Sequence, residues 1–241
     1  MPLPFFTLRL LYQIKQLRPM TVLSTKERIL NSTEELVAES GFCDLTMRQI
    51  STRANTNLAA INYHFGSKQS LINHMLERRL DTLFAMRLKR LDELENGSQQ
   101  PCILQQVLEA FIEPALIISN NERMGGRRFM KILARAYAER SDFLHELLSS
   151  RYADVIKRFA AAIARACPHL DEQTVFWRFH FIMGALTYVM ADFGAATKTS
   201  HMTEQEFFAT CSRQLVDFAQ ASLSGQAMDY PGDQASASSQ P

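Results

Sequence analysis

Residues 46–68, TMRQISTRANTNLAAINYHFGSK, constrain the fold more than any other stretch, because they read as two short helices broken by a turn and closed by an aromatic, basic cluster. Thr46 offers a hydroxyl to cap the first helix and Gln49 stands three residues on, so the two form a capping box and the helix is predicted to start at Met47. Ile50 and Ala54 then face inward. Asn55, Thr56 and Asn57 break the periodicity with residues that tolerate left-handed or locally hydrogen-bonded backbone, and Asn57 is a good cap for a second helix. The pattern is a helix-turn-helix.

At about 100° per residue, Leu58, Ile61 and Phe65 share the packing face of the second helix, which leaves Ala59, Ala60 and Tyr63 opposite and Asn62 and His64 on the flanks. The free face suits a DNA major groove. The two alanines allow close approach and contact with thymine methyls, Asn62 matches adenine, and Tyr63 and His64 carry donors for phosphate oxygens. Ser67 caps the following helix, whose N-terminus and Lys68 together favour a phosphate. Between Leu45 and Leu76 there is no Asp or Glu, while Arg48, Arg53 and Lys68 fall inside, so the head is expected to be basic although the whole chain carries only +1. Thr46, Arg48, Asn57, Ala59, Ala60, Asn62, Tyr63, His64 and Lys68 are the expected DNA-contacting set. Taken one at a time, these features also fit an ordinary helical hairpin with Tyr63 and Phe65 in its core.

Together they resemble the N-terminal domain of the TetR family of transcriptional regulators, which carries Thr at the start of helix 2, a small polar turn, and an aromatic pair before Phe-x-[Ser/Asn]-Lys. The resemblance spans residues 25–83 and is most specific at Asn62-Tyr63-His64-Phe65-Gly66-Ser67-Lys68. One position departs: Asn55 stands where the family usually has Gly. Asn is the next-best residue for positive φ, so the turn is expected to survive.

The chain has 241 residues, 46% of them hydrophobic, few Pro and Gly, and helical periodicity almost throughout, with no alternating Val/Ile/Thr runs of strand type. The fold is expected to be all-α, a three-helix head joined by a long helix to a larger helical body. Cys43, Cys102, Cys167 and Cys211 lie far apart with no Cys-x-x-Cys pair, which argues against a metal site or disulfide framework and fits a reducing cytoplasm. No cofactor is expected. Residues 1–19 are apolar and basic, interrupted by Arg9 and without a small-residue cleavage site. Residues 1–22 are read as a leader, with translation starting naturally at Met20 preferred over a basic arm that touches DNA. No segment has the roughly 18 uninterrupted apolar residues of a spanning helix, so no membrane partner is expected.

A capping box at Ser24 and Glu27 opens a helix with Ile29, Thr33, Leu36 and Val37 on one side, and Gly41 stops it. The head is assigned to residues 23–70 and the body to 71–224. A helix over 68–95, about 40 Å long at 1.5 Å per residue, links them with Leu71, Met75, Leu80, Leu83 and Leu91 facing inward. Residues 96–101 read as a linker. Body helices are predicted over 103–119, kinked by Pro114, then 127–138, 142–167, 171–197 and 203–224, and residues 225–241 read as a disordered tail.

The resemblance implies that the last two long helices pair with those of a second subunit, with Phe181, Gly184, Ala185, Tyr188, Phe208, Cys211 and Leu215 in the homodimer interface; the same residues also fit a monomer core. A dimer suits the task, since two recognition helices about 34 to 36 Å apart read adjacent major grooves of an imperfect palindrome. Phe111, Phe129, Met130, Leu133, Tyr137 and Phe159 are candidate walls of an effector chamber, and core packing explains the same residues. Arg127, Arg128, Arg135, Arg178 and His180 are the bases available to an acidic head group, Arg178 being the one assigned to the chamber and His180 fitting better as a satisfied core histidine. The phrases 129–133, FMKIL, and 176–185, FWRFHFIMGA, with Asn57-Leu58-Ala59-Ala60 in the head, look like the PsrA-type branch, whose members respond to long-chain fatty acids or their CoA esters.

The resulting expectation is a dimeric repressor of a palindromic double-stranded operator, released by a small hydrophobic effector, for which a fatty acid or acyl-CoA is the candidate. A DNA-binding protein of the same fold without an effector, in nucleoid or division control, and a drug-responsive efflux repressor stand as alternatives; the latter class of pocket usually needs buried acids or many aromatics, and this body offers more bases. An enzyme is not expected, because the six histidines form no His-x-x-x-His pair and no phosphate-cradling glycine loop or nucleophile arrangement is present.

Overall fold

The computed structural model describes residues 23–97, 103–139, 142–199 and 202–226, and within them every regular element is helical. The expected leader, most of the 96–101 linker with Cys102, and the tail beyond Gln226 lie outside the described residues. The head comprises α1 (Thr25–Ser40), α2 (Met47–Arg53) and α3 (Leu58–Phe65), followed by the long α4 (Lys68–Gly97). The body adds α5 (Leu104–Ser119), a 3-10 turn (Glu122–Met124), α6 (Gly126–Ala138), α7 (Asp142–Ser150), α8 (Ala153–Ala166), α9 (Glu172–Thr199) and α10 (Glu204–Ser224). No described helix is long and apolar enough to cross a membrane.

Local chemistry sets the head. Glu27 N donates to Ser24 Oγ at 3.2 Å and Ser24 N donates back to the Glu27 carboxylate at 3.0 Å, so both orphan donors at the start of α1 are satisfied. Thr46 and Gln49 make the same reciprocal pair on α2, at 2.8 and 3.2 Å. Between α2 and α3, Asn55 takes φ +47°, and Asn57 Oδ1 accepts from Ala60 N at 2.8 Å. The turn therefore forms with Asn in the left-handed position. Ile29, Val37, Ile50, Ile61, Phe65 and Leu71 close a small apolar core beneath it.

The body is layered around α5, whose Val107, Leu108, Phe111, Ile112, Ala115 and Leu116 are buried. It packs against α4 on one side and α10 on another, with α6 and α8 completing the shell and α9 lying across α6 and α10. The helix remains continuous through Pro114.

The stretch 142–167 is two helices rather than the single one expected. Both Arg151 N and Tyr152 N donate to Leu147 O, which closes α7 one residue wide and restarts the chain at α8. The cause lies on α4. Arg151 pairs with both oxygens of Asp81 at 3.0 Å, Tyr152 Oη donates to Asp81 at 2.7 Å, and the Tyr152 ring stacks on Phe84 at 4.3 Å between centroids. A continuous helix would point these two neighbours about 100° apart and lose one set of contacts.

α6 joins body to head. One face buries Phe129, Met130, Ile132, Leu133 and Ala136 in the body. The opposite face meets α1, where Arg128 pairs with Glu35 at 3.2 Å, Arg135 Nη2 donates to the Glu39 carbonyl at 3.3 Å, and Phe42 N donates to the Glu139 carboxylate at 3.1 Å. Gly41 sits under that carboxylate with φ +86°, a backbone that favours glycine, and a Cβ there would lie 2.6 Å from Glu139 Oε1 and push that carboxylate aside. Deeper in the joint, Glu34 of α1 is buried and holds Arg79 through two bonds of 2.8 and 2.9 Å and Arg78 at 2.6 Å.

Candidate nucleic-acid interface and body core

α3 divides cleanly. Ile61 and Phe65 are buried while Ala59, Asn62, Tyr63 and His64 are exposed, Tyr63 by 86%; Ala60 lies at the margin. Tyr63 and His64 meet edge to face at 5.3 Å, which stiffens the exposed pair without hiding either ring. Leu58 is a correction to the expected packing face: it is 45% exposed, because as the first residue of an eight-residue helix it projects past the edge of the head core. Phe65 instead completes that core, with His74 edge-on at 5.6 Å and the Lys26 ammonium 5.9 Å from its ring.

Around α3, Thr46 and Arg48 are exposed at the start of α2, and Asn57 is exposed but engaged in its cap. Ser67 Oγ accepts from Ser70 N at 3.1 Å, so it caps α4 as expected. Lys68 is half-buried with Nζ donating to the Phe42 carbonyl at 3.4 Å, a long bond that leaves the charge uncompensated by any described acid. Arg53 departs from the expected basic set. It pairs with Glu39 at 2.9 Å and lies 3.6 Å from Glu35, both supplied by α1 from outside the acid-free stretch, and its hydrogen bond holds the Glu39 carboxyl below the ordinary value. The basic surface is accordingly narrower than composition implied and centres on Arg48 and Lys68.

In the body, Phe111, Phe129, Met130, Leu133 and Phe159 are all buried, and the Phe111 ring contacts Phe159 at 5.0 Å and Phe179 at 4.9 Å. Tyr137 is 40% exposed, and burial of its hydroxyl end raises the phenol above its usual pKa while the charge of Arg87 opposes that rise. Arg178 does not face this cluster. Its guanidinium donates to the carbonyls of Ser222 and Gly225 at 2.6 Å and of Gln226 at 3.0 Å, closing the C-terminus of α10. Nor is His180 a core residue: it is exposed, with Nδ1 2.8 Å from the Phe176 carbonyl one turn back. Arg128 and Arg135 are turned toward α1, as described above.

The base that does lie in the cluster is Arg87, which sequence reasoning passed over. It is only 2% exposed, donates Nε to the Phe111 carbonyl at 2.9 Å, and places its guanidinium 3.7 Å from the Phe111 ring centroid and 5.3 Å from that of Phe84. Burial pulls its pKa down to about 9. A signal existed, since Leu80, Leu83, Phe84 and Leu91 flank Arg87 at helical spacing and a charge breaks their apolar stripe.

On the outer side of α9, Trp177, Phe181, Gly184 and Tyr188 form an exposed ladder, Phe181 by 64% and Tyr188 by 70%, with open space over Gly184. Ala185 is half-buried beside it. From α10, Phe208 and Cys211 are half-buried, Leu215 is buried within the subunit, and Phe218 is exposed. Val175, Phe179, Ile182, Leu186 and Met190 fill the inward face of α9.

These features meet in comparisons with known proteins. Residues 29–75 match the family profile described as bacterial regulatory proteins, tetR family, and residues 109–222 match the tetracyclin repressor-like C-terminal domain. An uncharacterized HTH-type transcriptional regulator from the dhlA 5' region of Xanthobacter autotrophicus is 29% identical over 138 residues, 57% of this chain and 65% of the relative. A probable HTH-type regulator of Bacillus subtilis, YttP, is 28% identical over 86 residues, 36% of this chain and 42% of the relative. The chain thus spans less than two thirds of the length of these curated relatives. The TetR family regulator PfmR of Thermus thermophilus superposes with a TM-score of 0.57 over 86% of this chain and 100% of its own, at 17% identity, a likeness of fold. The chain belongs to the TetR family of transcriptional regulators, with a helix-turn-helix head and a helical C-terminal domain. That family comprises regulators rather than enzymes.

Proposed function

We propose that the chain is a dimeric repressor whose two heads read the halves of a palindromic operator and whose body lowers DNA affinity on binding a small hydrophobic effector of the fatty-acyl class. The division of α3 carries the DNA-binding part: its back is spent on the fold, while Asn62, Tyr63 and His64 stand free for base edges and phosphates. The exposed ladder on α9 supports the dimer, because a contiguous apolar face of this kind marks a protein contact and open Gly184 lets a second helix approach closely. The buried aromatic cluster and Met130 support an apolar effector, and the PsrA-like phrases in the body point to its class.

α6 is the proposed transmitter. An effector that displaces Phe129 or Leu133 moves the same helix that grips α1 through Arg128 and Arg135 and, at its C-cap, holds Phe42 N through Glu139. A coupling of about 1 to 3 kcal/mol changes affinity roughly 5- to 150-fold. The test is to select operator DNA from a random library with the full chain and titrate the selected duplex by fluorescence anisotropy with and without C12 to C18 fatty acids and acyl-CoAs. A loss of affinity within that range is expected. Unchanged DNA affinity with every acyl ligand removes the effector class, and failure to enrich any palindrome removes the operator reading.

A further inference from the structure

We infer that Arg87 is the binding site for the carboxylate of an anionic effector, a single negative charge that completes an ion pair the protein leaves half-made. The inference rests on the proposed effector function and names its ligand chemistry. Every other described arginine of α4 has an acidic partner: Arg78 and Arg79 hold Glu34, and Arg90 holds Glu113. Arg87 is the most buried of the four, and among the described residues its hydrogen bonding consists of one bond, Nε to the Phe111 carbonyl. No described carboxylate lies within ion-pairing distance. The Phe111 and Phe84 faces supply cation–π attraction, which offsets only part of the cost of removing a cation from water.

Arg87 also stands where a ligand could be sensed. Beside this α4 residue lie Phe111 of α5, whose ring in turn meets Phe159 of α8 and Phe179 of α9, and Tyr137 of α6, whose phenol feels its charge. The rings of Phe111, Phe159 and Phe179 touch, so an acyl chain enters only as they part. Opening the cluster for a ligand therefore moves the walls of the body. The unpaired charge selects a free acid over its ester or alcohol, and one cation matches one carboxylate better than the several phosphate charges of a CoA ester.

Isothermal titration calorimetry on the full chain with laurate, 1-dodecanol and lauroyl-CoA tests this. The expected result is laurate bound about 10- to 100-fold more tightly than 1-dodecanol, the worth of a charge-assisted contact, with lauroyl-CoA weaker than laurate. R87M should lose that discrimination, binding the two alike, while circular dichroism reports its fold. The ligand comparison in the unmutated protein needs no variant, so it remains decisive even where R87M misfolds. Equal binding of laurate and dodecanol, or preference for lauroyl-CoA, overturns the role of Arg87 and leaves an apolar effector standing. Binding of none of the three, and of none of their C18 counterparts, removes the effector reading itself.

Discussion

At the scale of single residues, exposure separates those proposed to read DNA from those that fold the head. Tyr63 gives its ring to solvent, so Tyr63→Ala should leave thermal stability within about 0.5 kcal/mol of the parent, as surface substitutions do, while weakening DNA binding and reducing its salt dependence by about one phosphate contact. Parallel melting curves and salt-dependent titrations would check it; a large loss of stability would assign Tyr63 to the core. Glu34 is the opposite case. Burial alone would raise its carboxyl, but Arg79 and Arg78 prevail and hold it below the ordinary 4.5. A depressed folded pKa contributes stability that is complete above the unfolded value and is lost as pH falls through the folded one. Glu34→Gln should therefore cost about 3 to 5 kcal/mol in urea unfolding near neutral pH, because two arginines are left facing a neutral group in a buried joint, and should flatten the acid limb of the stability profile below about pH 4.5.

At the scale of elements, what could be read from sequence was what is decided locally. The capping boxes at Ser24 and Thr46, the cap at Asn57 and the left-handed Asn55 each depend on residues within one helical turn, and all four formed as their side chains dictate. The break at Arg151 and Tyr152 could not be read that way, because its cause, Asp81, is 70 residues upstream. Arg53 and Arg178 were misplaced for the same reason: their partners sit on α1 and at the end of α10, and nothing near them in sequence announces that. The entry to α6 shows how much one distant contact can demand. Gly125 has φ +108°, and a Cβ there would lie 3.0 Å from Arg79 Nε and from Phe129 Cβ. Gly125→Ala should destabilise the protein by about 1 to 3 kcal/mol through backbone strain and should disturb the Arg79–Glu34 pair beside it. A melting temperature equal to the parent's would show that the turn relaxes freely.

At the scale of the whole molecule, the proposed dimer makes the α9 ladder the feature on which pairing of the two heads turns. Phe181→Glu combined with Tyr188→Glu places two charges on the exposed face without touching the inward residues Phe179, Ile182 and Leu186. Sedimentation should then report a folded monomer, and operator affinity should fall by far more than twofold because the second head no longer binds as part of the same body. An unchanged dimer would move the interface elsewhere. The exposed face of α3 has a further consequence for how such a protein can change over generations. Since Ala59, Asn62, Tyr63 and His64 support almost nothing beneath them, the proposed function makes their replacement a change in which promoters are controlled that leaves the chemical cue untouched. On that proposal, target and cue are inherited as separate traits.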